Sequence, residues 1–256
     1  MKLEALIFDV DGTLADTEEA HRRAFNEAFR QCGVEWHWSR DEYVRLLRTT
    51  GGKERLAAYI DSLPLPAGER QALLGRADAI HRAKTENYAR MVAAGDAPLR
   101  DGVARLLDDA AASKIRLCIA TTTTFANIEA LLCATLGAHA VDRFEVIGAG
   151  DQVARKKPAP DIYEHVLRQL GAPPRGCVAL EDSANGLRAA KAAGLATIVT
   201  PCQWTRHEDF TAADLVLPSL GSVERPLDPE AADLIGSQVL GIREIARLLD
   251  AASECG

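Results

Sequence analysis

The chain has 256 residues, 47% of them hydrophobic and 26% charged, which is long enough for one large domain or two unequal ones built around a real core. Its formal net charge of −7 argues against nucleic acid or an anionic membrane surface as the main partner, because phosphate-backbone binding needs a basic field, so an anionic ligand must be held by local clusters of cations. The amino terminus, where Glu4 and Asp9 interrupt a short apolar run, reads as neither a signal peptide nor a membrane span. The six scattered cysteines (Cys32, Cys118, Cys133, Cys177, Cys202 and Cys255) form no Cys-x-x-Cys pair, so reduced thiols in a cytoplasmic protein are expected.

The first element is Ala5 to Phe8, a continuous apolar run that suits a strand buried on both faces in the middle of a parallel sheet. It ends at Asp9-Val10-Asp11-Gly12, two carboxylates two residues apart followed by a glycine that lets the backbone turn. Like charges this close at the end of a buried strand are costly unless a cation or a shifted proton compensates them, and a divalent metal is the simplest remedy. Asp16 and Glu19 have the spacing of a helix capping box, after which Ala20, Ala24, Phe25, Ala28 and Phe29 recur at helical intervals. Helices are then expected over Asp41 to Leu47, Glu54 to Ser62, and Gly68 to His81 continuing to Met91, with no strand among them.

From Leu99 the pattern alternates. Helices are expected at Val103 to Ala112, Asn127 to Leu136, Pro160 to Leu170 and Ala184 to Ala193, and strands at Ile115 to Ala120, Phe144 to Ile147, Cys177 to Leu180, Ala196 to Val199 and Leu215 to Leu217. This predicts a doubly wound, Rossmann-like α/β fold with a parallel sheet. The first strand must join that sheet to bury its two faces, which makes residues 16–95 an all-helical cap inserted into a discontinuous core of residues 1–15 and 96–256. Pro218, Pro226 and Pro229 predict an extended stretch in the tail, 221–256, before a last helix striped by Val239, Ile242, Ile245, Ala246 and Leu249.

Ligands of open α/β sheets bind beyond the carboxyl ends of the strands, so what each strand delivers there is informative. The first delivers Asp9 and Asp11, the second Thr121 to Thr124, and the fourth Glu181, Asp182 and Ser183; between them Lys156 and Lys157 precede Pro158, which disfavours helical geometry at Lys157. Four acids, hydroxyls and a lysine thus converge on one edge.

With these residues in this order, the sequence resembles the haloacid dehalogenase superfamily of phosphotransferases, whose four motifs match Asp9 to Thr13, Thr121, Lys157 before Pro158, and Glu181-Asp182-Ser183. Within it the chain resembles the group of β-phosphoglucomutases and phosphoglycolate phosphatases. It is most similar to the xylulose-1,5-bisphosphate phosphatases that accompany Rubisco in Calvin-cycle organisms, through Thr49 to Arg55, His81 to Thr85, Ala120 to Thr124 and Lys156 to Asp161. The resemblance implies Asp9 as a nucleophile forming an aspartyl phosphate, Asp11 as general acid/base, and Thr121 and Lys157 on the transferred phosphoryl group. It also implies Mg²⁺ held by Asp9, Asp182, the backbone carbonyl of Asp11, and Glu181 through water. A carboxylate is already ionised at neutral pH and needs no base to attack, whereas Asp11 must carry and return a proton.

The cap adds two basic clusters. Gly51-Gly52-Lys53-Glu54-Arg55 places cations at a helix start, and His81, Arg82 and Lys84 lie further on; in an acidic protein two such patches over a phosphate site point to a second anionic group on the substrate. Glu18 and His21 stand at the hinge, and Thr122, Thr123 and Lys156 complete the set of expected substrate contacts. The expected partner is therefore a sugar bisphosphate, xylulose 1,5-bisphosphate, handled by a monomeric enzyme. A phosphoglycolate phosphatase or other phosphosugar phosphatase or mutase, and a non-catalytic phosphosugar-binding regulator, are the alternatives. After Thr121 the chain has Thr123, Thr124 and Phe125 and lacks the lysine and asparagine of the mutase pattern, which weakens the mutase reading, and retention of both Asp9 and Asp11 argues against a mere binder.

Overall fold

The computed structural model describes residues 2–254; Cys255 lies outside them. Strand β1 (Ala5–Phe8) is buried along its whole length, and its side chains alternate between two apolar layers, Leu6 and Phe8 facing one and Ala5 and Ile7 the other. The chain then leaves the sheet for α1 (Glu18–Gln31), α2 (Arg40–Leu46), α3 (Gly52–Ser62), α4 (Ala67–Leu74) and α5 (Ala77–Ala93). It returns through α6 (Val103–Ala112), β2 (Arg116–Ala120), α7 (Phe125–Leu136), β3 (Val146–Gly148), α8 (Asp161–Leu170), β4 (Cys177–Glu181), α9 (Ala184–Ala192), β5 (Ala196–Val199) and β6 (Leu215–Val216). Two helices follow, α10 (Pro229–Ile235) and α11 (Ile242–Glu254).

The six strands are all parallel, in the order β3-β2-β1-β4-β5-β6. The order reverses between β1 and β4, so the switch point opens at the carboxyl ends of these two strands, where Asp9 and Glu181 emerge. The cap has its own aromatic core, in which Phe25, Phe29, Trp38 and Tyr43 pack with Leu56 and Ile60. The two linkers to the cap run side by side: Asp16 N–H donates to Pro98 O at 2.9 Å and Arg100 N–H to Leu14 O at 3.0 Å. None of the described helices is long and apolar enough to cross a membrane.

The structure departs from the sequence expectations locally. No capping box forms: Asp16 faces Arg100, Glu19 pairs with Arg22, and α1 starts after Thr17, whose hydroxyl turns back to Asp11. The helix expected from Gly68 to Met91 is two, α4 and α5, broken at Gly75 and Arg76, consistent with glycine's low helix propensity. In the tail Pro229 does not extend the chain but opens α10 at a first-turn position that needs no N–H, with the Asp228 carboxylate accepting from Ala231 N–H at 2.9 Å. Val239 precedes α11, leaving Ile245 and Leu249 as the buried residues of that stripe. Cys118, Cys177 and Cys202 are buried free thiols, whereas Cys32 and Cys133 are partly exposed.

Candidate active site

At the switch point Lys157 organises the carboxylates. The residue is 4% exposed, and its ammonium donates to Asp9 Oδ1 at 2.7 Å, Glu181 Oε1 at 2.6 Å and Ala120 O at 2.8 Å, using all three of its protons. Glu181 is wholly buried and also accepts from the Tyr163 hydroxyl; its Oε2 has no partner. Asp182 Oδ2 takes the Thr205 hydroxyl at 3.3 Å. Two glycines make room. A Cβ on Gly12, which sits at φ 82°, would lie 2.2 Å from Asp182 Oδ2, and one on Gly186 would lie 1.8 Å from Glu181 Oε2.

Three buried carboxylates, Asp9, Glu181 and Asp182, therefore have ligand oxygens within 4.8 Å of one another, and the Lys157 ammonium pairs with the first two. Burial, then the neighbouring Glu181 and Asp11 charges, push Asp9 up to about 7 against the opposing pull of Lys157. Burial with Asp9 and Glu181 nearby holds Asp182 well above the usual carboxylate range. An all-oxygen set with surplus negative charge and one orphaned buried oxygen fits a hard divalent cation such as Mg²⁺.

The Asp11 carboxylate stands apart from this cluster, leaving only its backbone available to a cation there. Its Oδ1 accepts the Thr17 hydroxyl at 2.7 Å and pairs with His21 Nε2 at 2.9 Å. Burial would raise its pKa, but His21, Thr17 and Lys84 more than offset this and hold it at about 2. The free site thus keeps Asp11 ionised, where the acid role calls for a proton.

A cleft lies between these groups and the cap. Asp9, Asp11, Thr121, Thr122, Thr123, Lys157 and Asp182 form its floor, and Glu18, His21, Gly51, Gly52, Arg55 and Lys84 its roof. Gly51, at φ 86°, supplies the turn into α3 that sequence reading placed there. Arg55 is 8% exposed and is aimed by two acceptors, Tyr43 Oη at 2.9 Å and Thr49 O at 3.2 Å; the Tyr43 hydroxyl in turn donates to Glu18 Oε2 at 2.9 Å.

The remaining cap residues divide. Lys53, Glu54, His81 and Lys156 line an adjoining side cleft together with Lys84. Glu54 and Lys156 pair across it at 2.8 Å, tying cap to core, and Lys53 pairs with Asp78 on the cap surface. His81 is held down to about 4 by burial and by Lys84, Lys53 and Lys156. Arg82 stands apart from the other expected contacts: on α5, residues 81, 84 and 88 share the buried face, and Arg82, a helical step away, is exposed and lines neither cleft. Sequence reading also missed Thr17, Tyr43, Tyr163 and Thr205. For Tyr163 and Thr205 no local pattern exists, but Gly186, opening the start of α9 to a buried acid, was a usable signal.

Comparison with known proteins agrees with this geometry. A family model described as haloacid dehalogenase-like hydrolase matches residues 3–194. The chain is 53% identical to protein CbbY of Rhodobacter capsulatus over 230 residues, 90% of this chain and 99% of that protein. CbbY of Rhodobacter sphaeroides, solved in complex with phosphate, superposes with a TM-score of 0.78 at 53% identity, covering 85% of this chain and 94% of that one. A mutant of the same protein, solved with xylulose 1,5-bisphosphate, gives 0.79 at 52% identity, covering 87% and 98%. The chain belongs to the haloacid dehalogenase-like hydrolase family and is a phosphatase of it.

Proposed function

We propose that the protein is an Mg²⁺-dependent sugar bisphosphate phosphatase that converts xylulose 1,5-bisphosphate to xylulose 5-phosphate. The observation that carries this reading is the pair of buried cations, Arg55 and Lys84, in the roof of the cleft opposite Asp9 and Lys157. Burying two cations is costly, Asp11 and Glu18 offset only part of that cost since Lys84 is still lowered to about 8, and the floor groups engage only the phosphate being removed. The xylulose 1,5-bisphosphate bound to a CbbY relative supports the choice of sugar. Residues 16–95 serve as the closing cap and the rest as the core.

Asp9 attacks phosphorus through a carboxylate oxygen while the bond to the sugar oxygen breaks, giving an aspartyl phosphate. Lys157 and Thr121 hold the phosphoryl oxygens as their charge redistributes. The cation, held by Asp9, Asp182 and the Asp11 backbone with Glu181 behind them, would supply electrostatic neutralisation of the phosphoryl charge. Asp11 takes up a proton from solvent and gives it to the leaving sugar oxygen, and the resulting carboxylate, held in place by His21 Nε2 at 2.9 Å and the Thr17 hydroxyl, then takes a proton from the water that hydrolyses the intermediate.

Turnover against a panel of pentose and hexose mono- and bisphosphates and phosphoglycolate tests the assignment. Highest kcat/KM on xylulose 1,5-bisphosphate is expected; equal or better turnover of phosphoglycolate would overturn it.

A further inference from the structure

The loop after β5 reaches from the core carboxylates to the cap. Its first residues are fixed beside the site: Thr200 N–H donates to Glu181 O at 2.8 Å, and Arg100 donates to the Thr200 and Pro201 carbonyls at 2.5 and 3.1 Å. Its far end is fixed too, since Glu208 Oε2 accepts from Ala184 N–H at 2.6 Å at the start of α9. Between these anchors Thr205 and Arg206 N–H both donate to Cys202 O, closing a tight turn.

That turn points two neighbouring side chains in opposite directions. Thr205 reaches Asp182 at 3.3 Å. Trp204, although it comes from the core, is 4% exposed because it is buried in the aromatic core of the cap, edge-on to Tyr43 at 5.6 Å and beneath the Arg40 guanidinium at 4.6 Å. Arg40 also donates to Gln203 Oε1 at 2.9 Å. Tyr43 is the residue whose hydroxyl holds both Arg55 and Glu18.

We propose that Trp204 is a positioning residue for substrate recognition: by seating Tyr43 it sets Arg55 and Glu18 to grip the far end of the substrate when the cap lies on the core. This rests on the bisphosphate reading of the cleft. Trp204 lies beyond residues 3–194, the stretch matched by the family model. The contact is made only with cap and core together, which makes the grip of Arg55 conditional on closure. An open cap lacks the Trp204 seat, so Tyr43, Arg55 and Glu18 are aligned at the moment the substrate is enclosed.

The test compares kcat/KM for xylulose 1,5-bisphosphate and for p-nitrophenyl phosphate, which has no second phosphate, in wild type, Trp204→Leu and Trp204→Phe. Leucine keeps an apolar plug and removes the edge-to-face seat; phenylalanine keeps a ring. Trp204→Leu is expected to lose about tenfold or more on the bisphosphate, mostly in KM, and little on the monoester, with Trp204→Phe recovering most of the loss. If the wild type prefers the bisphosphate and Trp204→Leu keeps the whole preference, or loses equally on both substrates, the positioning role is overturned while the bisphosphate reading stands. If the wild type has no preference, the bisphosphate reading itself falls and the proposal with it. Should Trp204→Leu not fold, Tyr43→Phe, which keeps the ring and removes the hydroxyl, decides on the same two substrates: selective loss on the bisphosphate supports the proposal and equal loss overturns it.

Discussion

Lys84 Nζ lies 2.8 Å from His21 Nδ1, and both side chains are buried, on different cap helices. An ammonium has protons to donate and no lone pair, so Nδ1 must accept, and the ring proton sits on Nε2, aimed at Asp11 Oδ1. One proton chain thus runs from the cap to the acid/base residue. The arrangement also keeps the imidazole neutral, since burial and the adjacent Lys84 charge both lower the His21 pKa.

The same contact makes recognition pH-dependent. Burial, with Arg55 nearby, lowers Lys84 to about 8 even though Asp11 and Glu18 favour its charge. The ammonium is present below that value and lost as pH rises through it. The ratio of kcat/KM for the bisphosphate to that for p-nitrophenyl phosphate is therefore expected to fall above pH 8, because kcat/KM reports free-enzyme groups. Taking the ratio cancels groups that serve both substrates. A ratio flat from pH 7 to 9.5 would exclude Lys84 as the cation of the distal phosphate.

Asp9→Asn is expected to lower turnover by at least about ten-thousandfold, on the order of what loss of a covalent nucleophile costs. Stability should be unchanged or higher. The amide oxygen still accepts from Lys157, and one of three clustered carboxylates is gone. Thermal unfolding and activity measured on one preparation check both halves of this outcome.

Cation binding should compete with protons at the same carboxylates. With Asp9 raised to about 7, its carboxyl holds a proton at pH 5 in the metal-free protein and must release it to bind Mg²⁺, and burial beside Asp9 and Glu181 raises Asp182 in the same direction. The Mg²⁺-induced rise in Tm should accordingly be small at pH 5 and grow as pH passes 7. EDTA should abolish turnover and Mg²⁺ restore it, with Ca²⁺, whose bonds are longer and coordination looser, supporting it poorly. A Tm shift independent of pH would separate the cation from Asp9 and Asp182.

The floor of the site was legible because a parallel sheet converts sequence order into place: a residue ending an apolar run must emerge at the carboxyl edge, as Asp9, Thr121 and Glu181 do. Lys157 was readable from its place before Pro158 among those strand ends, though its three acceptors were not. The roof was only half legible. Gly51 and Arg55 follow from a helix start, but the rotation of α5 that buries Lys84 and exposes Arg82 depends on what packs against it. Tyr43 looked like one more cap aromatic, and its hydroxyl acquires meaning only from Glu18 and Arg55, 25 and 12 residues away. Trp204 and Thr205 sit in a loop without periodicity, where local sequence carries no orientation.

The contrast between Arg55 and Arg82 gives a direct test of how a second phosphate is recognised. Arg55 is buried in the roof, braced by Tyr43 and Thr49, so a guanidinium already held in place loses little entropy on meeting an anion. A charge-assisted contact of this kind contributes about 1.5–3 kcal/mol, or about ten- to a hundredfold in kcat/KM. Arg55→Ala should lose at least that on xylulose 1,5-bisphosphate, partly in kcat because distal binding also drives closure, and almost nothing on p-nitrophenyl phosphate. Arg82→Ala, on the solvent side of α5, should match the wild type on both substrates. Equal losses on both substrates for Arg55→Ala would assign this arginine to cap folding, and a selective loss for Arg82→Ala would require the cap to meet the substrate in a rotation different from the one seen here.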